Sequence, residues 1–239
     1  SVERIEELIQ VCMDVDRYED ALFLLDKFLE IFPYNSEYWL KKGIVLNGLF
    51  RFSEALLAYE HSLSLNPNDI ETLIDKSATE ENLGLYDHSQ ESLEKVLQLD
   101  PENDDAMFSL GLLFQRRAQL SKAIDYFLKV VARDPEYSEV YYELGFCYEN
   151  SAQLDKALES YDKFLELDPY NPNGWYNRGI VLVKMEKLEL GINSYELAIS
   201  IRENLSSAWF NKGNALADLG RLQEAIQCFK KSFELDKED

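Results

Sequence analysis

Between residues 138 and 171, in SEVYYELGFCYENSAQLDKALESYDKFLELDPYN, the apolar positions fall into two helical patterns parted by a polar break at Ser151 to Gln153. In the first pattern Tyr141, Leu144, Gly145 and Tyr148 stand at i, i+3, i+4 and i+7, which is one face of a helix. Leu154, Ala157, Leu158, Tyr161, Leu165 and Leu167 form a second such face. Asp168 followed by Pro169 ends the second helix, because proline lacks an N–H and drives the preceding residue out of helical geometry. Asn171 then reads as the N-cap of the next helix, with Pro172 at its first position. The small residues Gly145 and Ala157 lie within large apolar faces, where a missing side chain lets two helices approach closely.

This pattern recurs along the whole chain. Pro33, Pro67, Pro101, Pro135 and Pro169 are separated by an identical 34-residue step. Glycine keeps the same register at Gly43, Gly111, Gly145, Gly179 and Gly213, with Ser77 in the skipped slot. Alanine does so at Ala21, Ala55, Ala123, Ala157 and Ala225, with Ser89 and Gly191 in the gaps. Such a period belongs to stacked helical hairpins, whose units are too short to bury a core alone. The prediction is an all-α array over 1–239 in seven units: 2–35, 36–69, 70–103, 104–137, 138–171, 172–205 and 206–239. Each unit contributes two helices, fourteen in all, with no β-sheet and with turns near Gly84, Gly220 and the prolines.

The order of a large residue, Leu-Gly, an aromatic, Ala, an aromatic and Pro resembles the tetratricopeptide (TPR) repeat signature. Here it reads Tyr141, Leu144-Gly145, Tyr148, Ala157, Tyr161 and Pro169, while other copies begin with Trp39, Trp175 or Trp209. The unit at 70–103 departs most, with Leu73, Ser77, Glu80 and Ser89 at signature places, and reads as a soft point. Ile5 and Ile9 take the Trp and Gly places of the first unit, whose first helix is read as a cap. Glu203 replaces proline before the last unit.

The resemblance implies a right-handed α-solenoid, a superhelix whose first helices line a concave groove for a peptide or protein segment. Carried onto this chain, the groove-facing apolar places are Phe108, Leu112, Tyr142, Phe146, Tyr176, Ile180 and Phe210. Asp105, Glu139 and Glu143 border them, and Asn177 and Asn211 resemble the asparagine ladders that hold peptide backbones in some TPR proteins. The lysines of the TPR clamp for C-terminal carboxylates are missing, since Leu40, Ile74, Phe108, Tyr142, Tyr176 and Phe210 fill the first clamp place. The expected function is therefore a protein-interaction module or scaffold, the second reading being a regulatory or substrate-presenting arm of a larger enzyme.

Composition narrows the partner. Forty-five acids against 24 lysines and arginines give a net charge of −21, which repels phosphate backbones and excludes nucleic acid as the expected ligand. The first, third and fifth units carry most of this charge. A partner with apolar anchors and basic residues fits such a surface. No stretch approaches a membrane span, and Cys12, Cys147 and Cys228 lie too far apart for a metal spacing or a disulfide framework. A soluble chain with reduced core thiols and a cytoplasmic location is the expectation, with no membrane partner and no cofactor. Catalysis finds no foothold: His61 and His88 fall at outward places of second helices, and the repeated glycines sit inside helices rather than in phosphate loops. Phe229, Phe233 and Leu235 form an apolar face on the last helix, so either the chain continues past Asp239 or that face meets another molecule, as in end-to-end self-association.

Overall fold

The computed structural model describes residues 2–237. Among these residues it contains fourteen α-helices and no strand. In chain order they are α1 (Val2–Asp14), α2 (Tyr18–Ile31), α3 (Ser36–Gly48), α4 (Phe52–Leu65), α5 (Ile70–Asn82), α6 (Tyr86–Leu99) and α7 (Asp104–Arg116), then α8 (Leu120–Arg133), α9 (Ser138–Asn150), α10 (Leu154–Leu167), α11 (Pro172–Lys184), α12 (Leu188–Ile201), α13 (Ser206–Asp218) and α14 (Leu222–Leu235). They follow one another in helix-turn-helix order, two to each 34-residue repeat. Contacts gather the chain into two compact units, Ser1–Leu113 and Phe114–Asp239.

Helices of 13 and 14 residues, the lengths of α9 and α10, are marginal alone in water, so packing supplies their stability. In the first unit Leu25, Phe28, Val45, Leu46 and Tyr59 are buried. Phe127, Leu144, Tyr161, Leu182 and Tyr195 do the same in the second. The repeated glycines make room for the repeated aromatics. A Cβ built on Gly145 would stand 2.6 Å from the Tyr161 ring, one on Gly179 2.6 Å from Tyr195, and one on Gly213 2.7 Å from Phe229.

The turn inside each hairpin has a uniform geometry that the sequence shows only twice. Gly84 and Gly220 have φ of +74° and +77°, and Asp16, Phe50, Ala118, Ala152 and Glu186 occupy the same left-handed region at the same 34-residue register. Each closes the preceding helix: Gln153 N–H donates to Tyr148 O at 2.9 Å and Leu85 N–H to Glu80 O at 2.8 Å, the long bond of a Schellman turn. An added Cβ at Gly84 meets nothing within 4 Å, so only backbone strain opposes a side chain there. Gly84→Ala is expected to lose about 1 kcal/mol in denaturant unfolding, and Ala152→Gly to gain up to about 1 kcal/mol.

Between hairpins, side chains at a second fixed register cap the first helices. Asn35 accepts from Tyr38 N–H at 3.2 Å, Asp69 from Thr72 N–H at 2.9 Å, Asn103 from Ala106 N–H at 2.9 Å and Asn171 from Gly174 N–H at 3.2 Å. Trp39 and Trp175 donate their indole N–H to the carbonyls of Pro33 and Pro169, each at 2.9 Å. Trp209 makes the same bond to Glu203 O at 2.9 Å. This corner therefore survives the loss of proline, because the tryptophan uses the carbonyl and not the ring.

The divergent unit at 70–103 has its own internal match. Ser77, at the glycine place, faces the partner place occupied by Leu93 instead of an aromatic, and both are buried. Glu80 is only 2% exposed, and it pairs with Lys76 and accepts from Ser92 Oγ at 2.9 Å. At the ends of the array, α1 buries Ile9 and Cys12 and exposes Leu8 and Val11 beside Glu7 and Gln10, a mixed outer face. On α14, Phe233 is exposed with Lys237 Nζ 4.4 Å above its ring, while Phe229 and Leu235 are half-buried.

Candidate functional site

The candidate residues divide between the two units. Asp105, Phe108 and Leu112 lie on α7 in the first, where Asp105 is exposed and the two apolar residues are half-buried. The remaining nine lie on α9, α11 and α13 of the second, and hydrogen bonds link these three first helices directly. Asn177 Nδ2 donates to Tyr142 Oη at 2.9 Å, and Asn211 Nδ2 donates to Tyr176 Oη at 3.0 Å. The two bonds are the same contact one repeat apart. Each asparagine keeps its amide oxygen as an acceptor beside a tyrosine.

The tyrosines are set by the second helices beneath them. Tyr142 meets Tyr161 edge-on at 5.9 Å between centroids and Phe164 at 5.2 Å, and Tyr176 packs on Tyr195 at 6.0 Å. Tyr142, Tyr176 and Ile180 are half-buried, so part of each belongs to the core. Phe146 and Phe210 differ, with 41% and 50% of their surface exposed. Phe146 follows Tyr142 by one turn on α9, and Phe210 rests on Phe229 at 5.6 Å.

A recess of about 190 Å³ opens beside Tyr142. Ser138, Glu139 and Glu143 of α9 line it together with Asp168 and Asn171 from the joint between α10 and α11. Its wall carries three carboxylates and no lysine or arginine. Glu143 accepts from Gln115 Nε2 at 2.6 Å, and burial holds its carboxyl above the usual range although that bond opposes the shift. Asp168 was legible in the sequence only as a helix terminator, and no spacing signal marks it as part of a recess.

Glu143, Asn177 and Asn211 share one repeat register, and Asp75 holds the same place on α5 of the first unit. Burial first, then the charges of Glu71 and Asp69, push the Asp75 carboxyl up to about 6. The folded chain thus binds this proton more tightly than the unfolded chain, and stability falls as pH rises from about 4 through about 6. Asp75→Asn is expected to be more stable than wild type at pH 7.5, on the order of 1 kcal/mol. Thermal unfolding should show the gap closing at pH 4.

Of the other chemically capable side chains, Cys147 adjoins the strip, with Gln115 Nε2 3.6 Å from its Sγ. His61 and His88 are exposed, and His61 stacks on Trp39 with centroids 4.5 Å apart. Cys12, Cys147 and Cys228 are buried free thiols, and burial raises the Cys147 thiol to about 11. No helix among the described residues is long and apolar enough to cross a membrane.

Known structures share this architecture. The crystal structure of MamA is 26% identical, with a TM-score of 0.66, over 68% of this chain and 95% of that one. YrrB, described as a TPR protein with an unusual peptide-binding site, is 22% identical with a TM-score of 0.63 over 77% of this chain and 95% of its own. A tetratricopeptide repeat protein from Parabacteroides merdae ATCC 43184 is 17% identical but aligns over 98% of this chain and 92% of its own, with a TM-score of 0.74. A comparison with curated proteins finds no match. Family profiles described as tetratricopeptide repeat match residues 36–69, 79–135, 126–159, 172–205 and 206–239, and one described as TPR repeat matches 153–186. With its 34-residue register, its helical hairpins and these matches, the chain belongs to the tetratricopeptide repeat family and has that family's all-α solenoid fold.

Proposed function

We propose that this chain is a protein-interaction scaffold that holds a peptide or protein segment on the strip formed by α9, α11 and α13. The observation that carries this reading is the carboxylate-lined recess at Glu139, Glu143 and Asp168, one helical turn from the exposed ring of Phe146. A lysine or arginine side chain seated in the recess would gain the attraction of three acids, while an apolar neighbour covers Phe146. The free amide oxygens of Asn177 and Asn211 supply acceptors for a backbone passing across α11 and α13. Phe210 offers a further exposed aromatic contact. Tyr142 and Tyr176 shape the floor from beneath, and Ile180 completes its apolar part.

The division of labour is testable because exposed and half-buried aromatics behave differently when truncated. Proteins captured from native lysate by the wild-type chain supply the partner, whose affinity is then measured for two variants. Phe146→Ala is expected to lose about 2 kcal/mol of binding with little change in fold, as an interfacial aromatic does. Glu139→Lys should weaken association strongly at low salt and less at high salt, since its charge acts through water. Unchanged affinity in both folded variants would remove this strip as the binding surface.

A further inference from the structure

A larger groove of the second unit lies on another face of α9. It encloses about 760 Å³, walled by Leu128 and Val131 of α8 and Leu158 of α10, with Tyr141, Leu144 and Tyr148 of α9 as its floor. The floor residues stand at i, i+3 and i+7, and Leu144 lies about 200° round the helix from Phe146. This is therefore a surface separate from the strip described above.

Its α10 rim is rich in acids. Asp155, Glu159, Asp162 and Glu166 line the groove at spacings of four, three and four residues, a single stripe along α10. Asp162 is paired with Arg178 at 2.6 Å and Glu166 with Lys163 at 2.9 Å. Lys156 is turned onto the Tyr148 ring at 5.3 Å and donates to Gln153. Asp155 and Glu159 have no hydrogen bond or ion pair among the described residues. On the α8 side Asp125 adds its charge, and burial together with Glu159 and Asp125 raises the Tyr148 hydroxyl. The α10 wall is thus acidic, while the α8 wall is formed by the apolar Leu128 and Val131.

We propose that this groove between α8 and α10 is a second docking site, and that its occupant is an amphipathic helix with an apolar stripe flanked by lysine or arginine. Helical walls offer no open strand edge, so backbone pairing with an extended peptide has no template there. The floor from Tyr141 to Tyr148 runs about 10.5 Å, two turns of helix, and matches apolar anchors at i, i+3 or i+4 and i+7. The basic flank then faces Asp155 and Glu159 of α10.

The probe is an 18-residue fluorescent peptide with leucines at helical spacing and lysines elsewhere, followed by anisotropy at 0.15 M salt against a scrambled peptide of the same composition. Wild type is expected to bind the ordered peptide at least tenfold more tightly than the scrambled one. Leu128→Lys/Glu159→Lys should lose at least tenfold, because the first change blocks an exposed wall and the second reverses an unpaired acid. Leu197→Lys/Glu196→Lys makes the same charge change on α12 and should stay within twofold of wild type. Circular dichroism establishes that each variant is folded. Equal binding of the two peptides, retained affinity in the α8/α10 variant, or an equal loss in the α12 variant would each overturn the proposal.

Discussion

Lys76→Leu is expected to lose about 3 kcal/mol of folding stability at neutral pH, although leucine is the more apolar residue at a largely buried place. The loss comes from the other partner. Glu80 is buried at a position where its counterparts are Leu46, Phe114, Tyr148, Leu182 and Leu216, and Lys76 together with Ser92 satisfies its carboxylate. Removing the lysine leaves an unpaired buried charge, whereas replacing both members of such a pair with apolar residues is often neutral or stabilising. Lys76→Leu/Glu80→Leu should therefore return to wild-type stability or exceed it, matching the Leu110 and Phe114 pair of the following repeat. Urea unfolding of the two single variants and the double variant decides this. Additive losses would show that the pair is not coupled.

Gly145→Ser should lose about 2 kcal/mol, because the new Cβ would stand 2.6 Å from the Tyr161 ring and one of the two helices must shift. Tyr161→Leu alone should lose on the order of 3 kcal/mol through the cavity it leaves. The chain already contains the combined solution in Ser77 and Leu93, a larger residue at the small place against a smaller one at the large place. The double variant should accordingly lose at least 1 kcal/mol less than the sum of the single losses. Strict additivity in an unfolding cycle would mean that the two places do not interlock.

Much of the fold was legible from periodicity alone. Phase-locked proline, glycine and alanine fixed seven hairpins, and Asn171 and Pro172 were readable as a helix start. The left-handed turns were hidden, since Asp16, Phe50, Ala118, Ala152 and Glu186 carry no glycine to mark them. Glu80 read as a departure from the pattern, because its compensation lies in Lys76 four residues back and Ser92 on the next helix. The candidate strip was legible as a set of helix positions, but not as degrees of exposure. Tyr142, Tyr176 and Phe210 each rest on a second-helix aromatic, but only the two tyrosines are also met by an asparagine of the following first helix, so Phe210 stands more open, as does Phe146 one turn further along α9. The amides of Asn177 and Asn211 looked free in sequence, and their tyrosine partners 35 residues earlier become visible only when successive first helices are side by side.

The most direct test of the binding strip is amide hydrogen exchange of the chain with and without its captured partner. Slowed exchange at the recess and along the first helices, centred on Glu139 to Phe146 of α9 and continuing through Asn177 of α11 and Asn211 of α13, is the expected result. Slowing confined to the second helices α10, α12 and α14, with α9, α11 and α13 unchanged, would contradict it.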